Sequence, residues 1–178
     1  MKQVRLGLAL AFSLVAMRST VRAEDIWQSM HTILPGTTCT PMPGSSVSYV
    51  YASIGNTSTT ADLGVQCPVV LPQNAQISAW VTVLDTSSAQ NVACTLWNYY
   101  WSNSSFGWAG TFASGNTTGS SVSNSKRIAL AADSNGLNIT GASFIGCSIP
   151  KKTAGGDVSQ LISYDVSTIA GIEETPRY

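Results

Sequence analysis

Val92-Ala93-Cys94-Thr95-Leu96-Trp97-Asn98-Tyr99 sets Val92, Cys94 and Leu96 at every second position, with Ala93 and Thr95 between them. A period of two sends alternate side chains to opposite faces, so this stretch reads as a half-buried β-strand. Ser143-Phe144-Ile145-Gly146-Cys147-Ser148-Ile149 repeats the pattern with Ile145, Cys147 and Ile149. Each stretch carries a cysteine in phase with its apolar residues, so Cys94 and Cys147 both point inward.

The same period recurs on either side. It predicts eight strands, over 47–54, 64–71, 77–85, 92–99, 108–114, 126–132, 143–149 and 161–167. The connectors carry Asn-Thr-Ser, Leu-Pro-Gln-Asn, Ser-Gly-Asn, Ser-Asn-Gly and Ala-Gly-Gly. These supply Asx turns and positive backbone φ, so each ends a strand for a stated reason. No segment beyond residue 23 has a convincing helical period. Eight short strands at this spacing specify an all-β fold: a two-sheet antiparallel sandwich, jelly-roll-like.

Four cysteines, Cys39, Cys67, Cys94 and Cys147, permit three pairings, and sequence alone does not choose among them. The topology favours one. The fourth and seventh strands of a jelly roll are neighbours in one sheet, which pairs Cys94 with Cys147 and leaves Cys39 with Cys67. Pro68 lacks a ladder donor, so its strand is expected at an edge.

Residues 1–23 read as a signal peptide: Arg5, an apolar run over 6–17, then Val21-Arg22-Ala23 as the cleavage site. Residues 24–45, punctuated by Pro35, Pro41 and Pro43, are expected to be irregular. The sandwich should occupy 46–170, with a tail over 171–178. Export to the outside of the cell, or to the periplasm, puts the cysteines in an oxidising compartment.

Beyond residue 23 the chain has five Lys and Arg against nine Asp and Glu, a net charge of −4. Nucleic-acid binding needs a basic surface to release counterions, and this chain has none. No second apolar run approaches the length of a membrane span, so no insertion is expected. Charged residues are 10% of the chain, against about 25% in an ordinary soluble domain. Solubility rests on Ser, Thr, Asn and Gly, a surface that lets copies of the chain pack closely.

The motifs Cys67-Pro68-Val69, Cys94-Thr95-Leu96 and Cys147-Ser148-Ile149-Pro150, with Cys39 near a Pro-rich start and a closing Ser163-Tyr164-Asp165-Val166, have a family likeness. Over residues 39–166 the chain resembles a loose group of uncharacterised secreted proteobacterial proteins. The resemblance implies a secreted β-sandwich with two disulfides. It implies no activity, and no functional residue carries over.

Catalytic chemistry lacks its residues. The one histidine, His31, lies in the irregular start and is expected on the surface in solvent. A nucleophilic triad needs a histidine held in a rigid frame, and a histidine-based zinc site needs more than one. Glycoside hydrolysis needs opposed carboxylates. The sandwich contains no Glu, and its Asp62, Asp85, Asp133, Asp157 and Asp165 fall mostly in or beside turns. The loop 133–138 offers too few oxygens for calcium. No enzyme activity and no cofactor are expected. Asn56, Asn103, Asn116 and Asn138 stand in Asn-x-Ser/Thr triplets, which a chain this rich in Asn, Ser and Thr also makes by chance.

The suggestive feature is aromatic. Trp97, Tyr99, Tyr100, Trp101, Phe106 and Trp108 crowd around the loop Ser102-Asn103-Ser104-Ser105. With Cys94 and Leu96 inward, Trp97 and Tyr99 face outward. Exposed aromatic rings beside Asn and Ser suit sugar rings, and they suit protein contacts as well. Cross-strand packing of strands four and five is the plain structural alternative. Trp97, Tyr99, Trp101, Trp108 and Asn103 are therefore the candidate binding residues, for a glycan or a cell-surface protein. The competing expectation is self-assembly, as a structural subunit of an extracellular layer, coat or filament. In that case the 24–45 segment would lend a strand to a neighbour.

Overall fold

Alternation of apolar residues governs the structure throughout. The computed structural model describes residues 31–70, 75–102, 107–121, 123–131, 137–139 and 141–169; the side chains at 75, 100–102, 107–109, 137–139 and 169 lie outside it. Twelve strands occur among the described residues. They are β1 (His31–Pro35), β2 (Thr40–Pro41), β3 (Val47–Val50), β4 (Ser53–Asn56), β5 (Leu63–Pro68), β6 (Ala75–Leu84), β7 (Ala93–Ser102), β8 (Gly107–Asn116), β9 (Lys126–Leu130), β10 (Leu137–Ile139), β11 (Ala142–Ile149) and β12 (Gln160–Ile169).

Two antiparallel sheets form. The first runs β10-β6-β12-β4-β3, with β1 also on β12 and β9 also on β6; the second runs β2-β5-β11-β7-β8. Counted as the eight expected strands, the first sheet reads one-eight-three-six and the second two-seven-four-five. This is jelly-roll pairing, as the alternation predicts.

Between the sheets lies one core. The first sheet contributes Ile77, Ala79, Val81, Val83, Ile128, Leu130, Leu161 and Val166. The second answers with Leu63, Val65, Leu96, Ile145 and Ile149. Burial of each Val, Leu or Ile side chain among these contributes about 1.5–3 kcal/mol. Cys94 and Cys147 are direct partners in the register of β7 and β11, and they are bonded. The second disulfide joins Cys39 to Cys67. Both pairings agree with the expectation from topology.

Four short elements separate twelve strands from the expected eight. Residues 47–54 are a hairpin rather than one strand. Val47 pairs with Asn56 and Val50 with Ser53, and the chain reverses at Tyr51, whose φ is 54°. The left-handed backbone there falls on a tyrosine, so no Gly, Asn or Pro announces the turn. β1 and β2 occupy part of the segment expected to be irregular. β4 covers only Gln160 and Leu161 of β12, and β1 fills the rest of that side, from Pro35 opposite Ser163 to His31 opposite Ser167. β10 extends the other flank at Ala75–Ile77 of β6. β5 is not an edge, because β2 pairs with it at Gln66 and Val65; Pro68 is tolerated because it ends the strand beyond that contact.

Two buried polar groups fasten the frame. The Tyr164 hydroxyl donates to the carbonyl of Pro68 (2.9 Å) and shares a hydrogen bond with Thr38 Oγ1 (3.1 Å). It therefore braces the residues next to Cys67 and Cys39. Burial pushes the Tyr164 pKa above its ordinary value, and the Thr38 hydrogen bond opposes this. The buried Asp85 carboxylate accepts the backbone N–H groups of Ser87 (3.2 Å) and Val92 (3.3 Å) and the hydroxyl of Thr117. It ties the β6–β7 connection to the end of β8. No helix among the described residues is long and apolar enough to cross a membrane.

Candidate functional site

Once Cys94 and Leu96 face the core, Trp97 and Tyr99 must face outward from the second sheet. The register then decides their neighbours. Trp97 has Phe144 opposite it on β11 and Phe112 opposite it on β8. Tyr99 has Ala142 and Gly110. An aromatic row, Phe144-Trp97-Phe112, therefore crosses three strands, with Tyr99 beside it.

The rings are in contact. Trp97 and Tyr99 lie 5.7 Å apart between centroids and within 9° of parallel. Tyr99 and Phe144 are 6.0 Å apart at 16°, and Trp97 and Phe112 are 5.2 Å apart at 41°. Such pairs contribute about 0.5–1.5 kcal/mol beyond area burial, so cross-strand packing is part of their role. It does not use up the surface: Phe112 remains 63% exposed and Tyr99 37%. Gly110 makes the layout possible. A Cβ there would stand 3.1 Å from Cδ1 of Tyr99, so the missing side chain lets the ring settle over the strand.

Two residues further along each strand the same face turns small and polar. Gly146 is opposite Gln66 on one side and Thr95 on the other, and Thr95 is opposite Ser114. The Thr95 and Ser114 hydroxyls share a hydrogen bond of 2.9 Å. The aromatic row is thus bordered by a row of hydroxyls and an amide, at a spacing of about 7 Å along the strands. None of the five strands contains an Asp, Glu, Lys, Arg or His.

Of the expected binding residues, Trp97 and Tyr99 come together on this face. Trp101 and Trp108 are backbone partners in the β7–β8 register; their side chains lie outside the described residues, as does Asn103. Phe112 and Phe144 were not among the candidates, yet they complete the row. The position of Phe144 follows from the two cysteine strands. Antiparallel pairing counts down from Cys147 as it counts up from Cys94, and three steps bring Phe144 opposite Trp97.

The charged strand residues lie on the first sheet. His31 is exposed, as expected, and it also has a partner. Its Nε2 is 2.6 Å from Oδ1 of Asp165, held there because β1 docks on β12. Arg127 reaches the other carboxylate oxygen at 3.5 Å and lies 4.6 Å from the ring centroid of Trp80. Ser167, opposite His31, shares a hydrogen bond with Ser78 (2.9 Å). The His-Asp pair therefore fastens strands together. Among the described residues no cluster of three or more His, Cys, Asp or Glu is placed to hold a metal. Residues 133–136 of the loop considered for calcium lie outside the described residues. Asn56 is fully buried and donates to the carbonyls of Ala61 and Ile149 (both 3.0 Å), so its amide is not a surface acceptor for a glycan. Asn116 is exposed.

Beyond Gly64, at the far end of β5, a groove of about 380 Å³ is lined by Met42, Ser45, Asn56, Ser58, Thr60 and Asp62. Asp62 there accepts the backbone N–H of Lys151 (3.0 Å).

No protein-family model matches the chain, and no curated protein matches it. Solved structures do. One holds the CBM22-1 and GH10 modules of endo-1,4-β-D-xylanase 10B from Clostridium thermocellum, complexed with xylohexaose. It aligns with 80% of this chain at 8% identity and a TM-score of 0.52, and the alignment covers 28% of its own length. A xylan-binding module, CBM15, aligns with 81% of this chain and 99% of its own at 9% identity and a TM-score of 0.48. The module CBM86 from Roseburia intestinalis, described as a low-affinity xylan binder, aligns with 78% and 96% at 10% identity and a TM-score of 0.44. At such identities the likeness is one of fold: this chain is a β-sandwich of the kind seen in the first of these structures.

Proposed function

We propose that this chain is a secreted, non-enzymatic binding module that holds a glycan on the outer face of its five-stranded sheet. The observation that carries the reading is the row Phe144-Trp97-Phe112, in which Trp97 and Phe144 are half-buried while Phe112 and the adjoining Tyr99 are exposed, beside a row of hydroxyls and an amide. Sugar rings present apolar C–H faces and polar rims. A surface of aromatic rings next to short polar side chains answers both, with few rotamers to freeze. The xylanase structure that shares the fold holds a hexasaccharide, which supports the same reading. The non-enzymatic part rests on the engagement of Asp62, Asp85 and Asp165 by partners of their own. Two disulfides support the secreted part, because such bonds persist in oxidising compartments.

A broad glycan array tests it. Wild-type protein should bind a defined group of glycans, and Trp97→Ala and Trp101→Ala should each weaken that binding. Unchanged binding by both variants would remove the site from this face.

One observation favours self-assembly as a second reading. β3 is the outer strand of its sheet, and Tyr49 and Val50 on it, with Tyr51 at the turn, are exposed. Its sequence, Val-Ser-Tyr-Val, has neither the charge nor the proline that usually guards an edge. The N-terminal strands are not the donors imagined from sequence, since β1 and β2 pair within the chain. Light scattering over a wide concentration range decides: a constant monomer mass removes this reading.

A further inference from the structure

Charge is divided unequally between the two sheets. Strands of the first sheet carry His31, Lys126, Arg127 and Asp165, while the five strands of the second carry no ionisable Asp, Glu, Lys, Arg or His at all. A site for uronic acids or sulfated sugars needs cations to offset the desolvation of the ligand's anions. This face has none among its described residues. An acidic chain would lose its hydration here and gain no partner.

The rows give a direction as well. Both run across the strands. The polar row passes from Gln66 on β5, through Gly146 and Thr95, to Ser114 on β8. Four strands at about 4.8 Å spacing make this row about 14 Å long. The aromatic row lies parallel to it. At the centre of the polar row, Gly146 adds no side chain of its own: a Cβ there would be 3.6 Å from Phe144 and from Nε1 of Trp97, so the two aromatic rings border this position directly. Gln66 and Ser114, at the two ends, are both exposed, so neither end is walled off.

We infer that the ligand is an electrically neutral, linear polysaccharide, bound by an internal segment that lies across the strands, from Gln66 to Ser114. This rests on the glycan reading above and narrows it to a substrate class. Phe144, Trp97 and Phe112 would meet the sugar faces, while Gln66, Thr95 and Ser114 would meet the hydroxyls along one rim. A row whose end residues, Gln66 and Ser114, are both exposed does not select chain ends, so the module should bind within a chain.

The test uses the intact folded protein against three sets of probes. These are neutral polysaccharides (xylan, glucans, mannans), acidic ones (polygalacturonate, alginate, a sulfated galactan), and a neutral oligosaccharide series lengthening from the disaccharide. The expected result is binding to at least one neutral polymer, little changed by added salt. Affinity should rise with oligosaccharide length and then level off. Ser114→Ala and Gln66→Ala, at opposite ends of the row, should each weaken long-chain binding about fivefold, the worth of one hydrogen bond. Preference for the acidic polymers, with salt-sensitive binding, overturns this inference and leaves the glycan reading standing. Equal affinity for short and long oligosaccharides overturns the chain-crossing geometry. Failure of every neutral and acidic probe overturns the glycan reading beneath it.

Discussion

Phe112 stands directly opposite Trp97 across β8 and β7, their ring centroids 5.2 Å apart, and yet Phe112 keeps 63% of its surface exposed. A large apolar side chain that packs on one side and meets water on the other contributes little to the core. Its value lies in what it can contact. Phe112→Ala should therefore lower stability by no more than about 1 kcal/mol, the scale of an aromatic pair. Glycan affinity should fall about tenfold, as for a moderate hot spot. Thermal melts and binding isotherms on the same preparation separate the two effects.

The Cys94–Cys147 bond spans 53 residues and Cys39–Cys67 spans 28. Closing such loops restricts the unfolded chain, by about 4 and about 3.6 kcal/mol on the chain-entropy estimate. Replacing both cysteines of either pair by Ala should cost comparable amounts, with the longer loop the more costly. Urea denaturation of the two double variants checks the order.

Tyr164 gives the fold a limit at high pH. Its folded pKa is raised, chiefly by burial, above the value of 10.0 that it takes when unfolded. The unfolded chain therefore releases this proton first as pH rises. The stability that Tyr164 contributes is complete below about 10 and is lost as pH climbs through the folded pKa. Tyr164→Phe should flatten that loss. It should also cost about 1–2 kcal/mol at neutral pH, because the Pro68 carbonyl loses its donor. Denaturant melts between neutral and strongly alkaline pH provide the comparison.

Asp85 is fully buried and accepts from Ser87, Val92 and Thr117. Asp85→Ala strands those donors away from water, at a cost of about 1–3 kcal/mol for each one left unpaired. The variant should be strongly destabilised, with hydrogen exchange quickened first in the 85–92 connection.

The long strands were legible because each buries one face, and burial writes a period of two into residues such as Ile77, Ala79, Val81 and Val83. The disulfides followed from that pattern and the topology. Tyr51 hid its turn because the positive φ falls on a residue that rarely takes it. β1 hid because its pairing depends on how much of β12 the short β4 leaves bare, a tertiary fact. Of the candidate site, part was legible. Trp97 and Tyr99 stood out as a cluster, but Phe112 and Phe144 join them only through the register, which depends on loop geometry. Absence of charge from one sheet was in the sequence throughout, though it had no meaning until the strands were sorted into sheets.

Affinity electrophoresis in gels containing neutral polysaccharides shows whether the outer aromatic face holds a glycan, with three proteins side by side: wild type, Phe112→Ala, and Ile33→Ala. Ile33 is equally exposed at 63% but lies on the other sheet. At least one polysaccharide should retard wild type and Ile33→Ala alike, while Phe112→Ala runs nearly free. Retardation lost in Ile33→Ala but kept in Phe112→Ala, or no retardation of the wild type in any gel, would contradict the glycan reading.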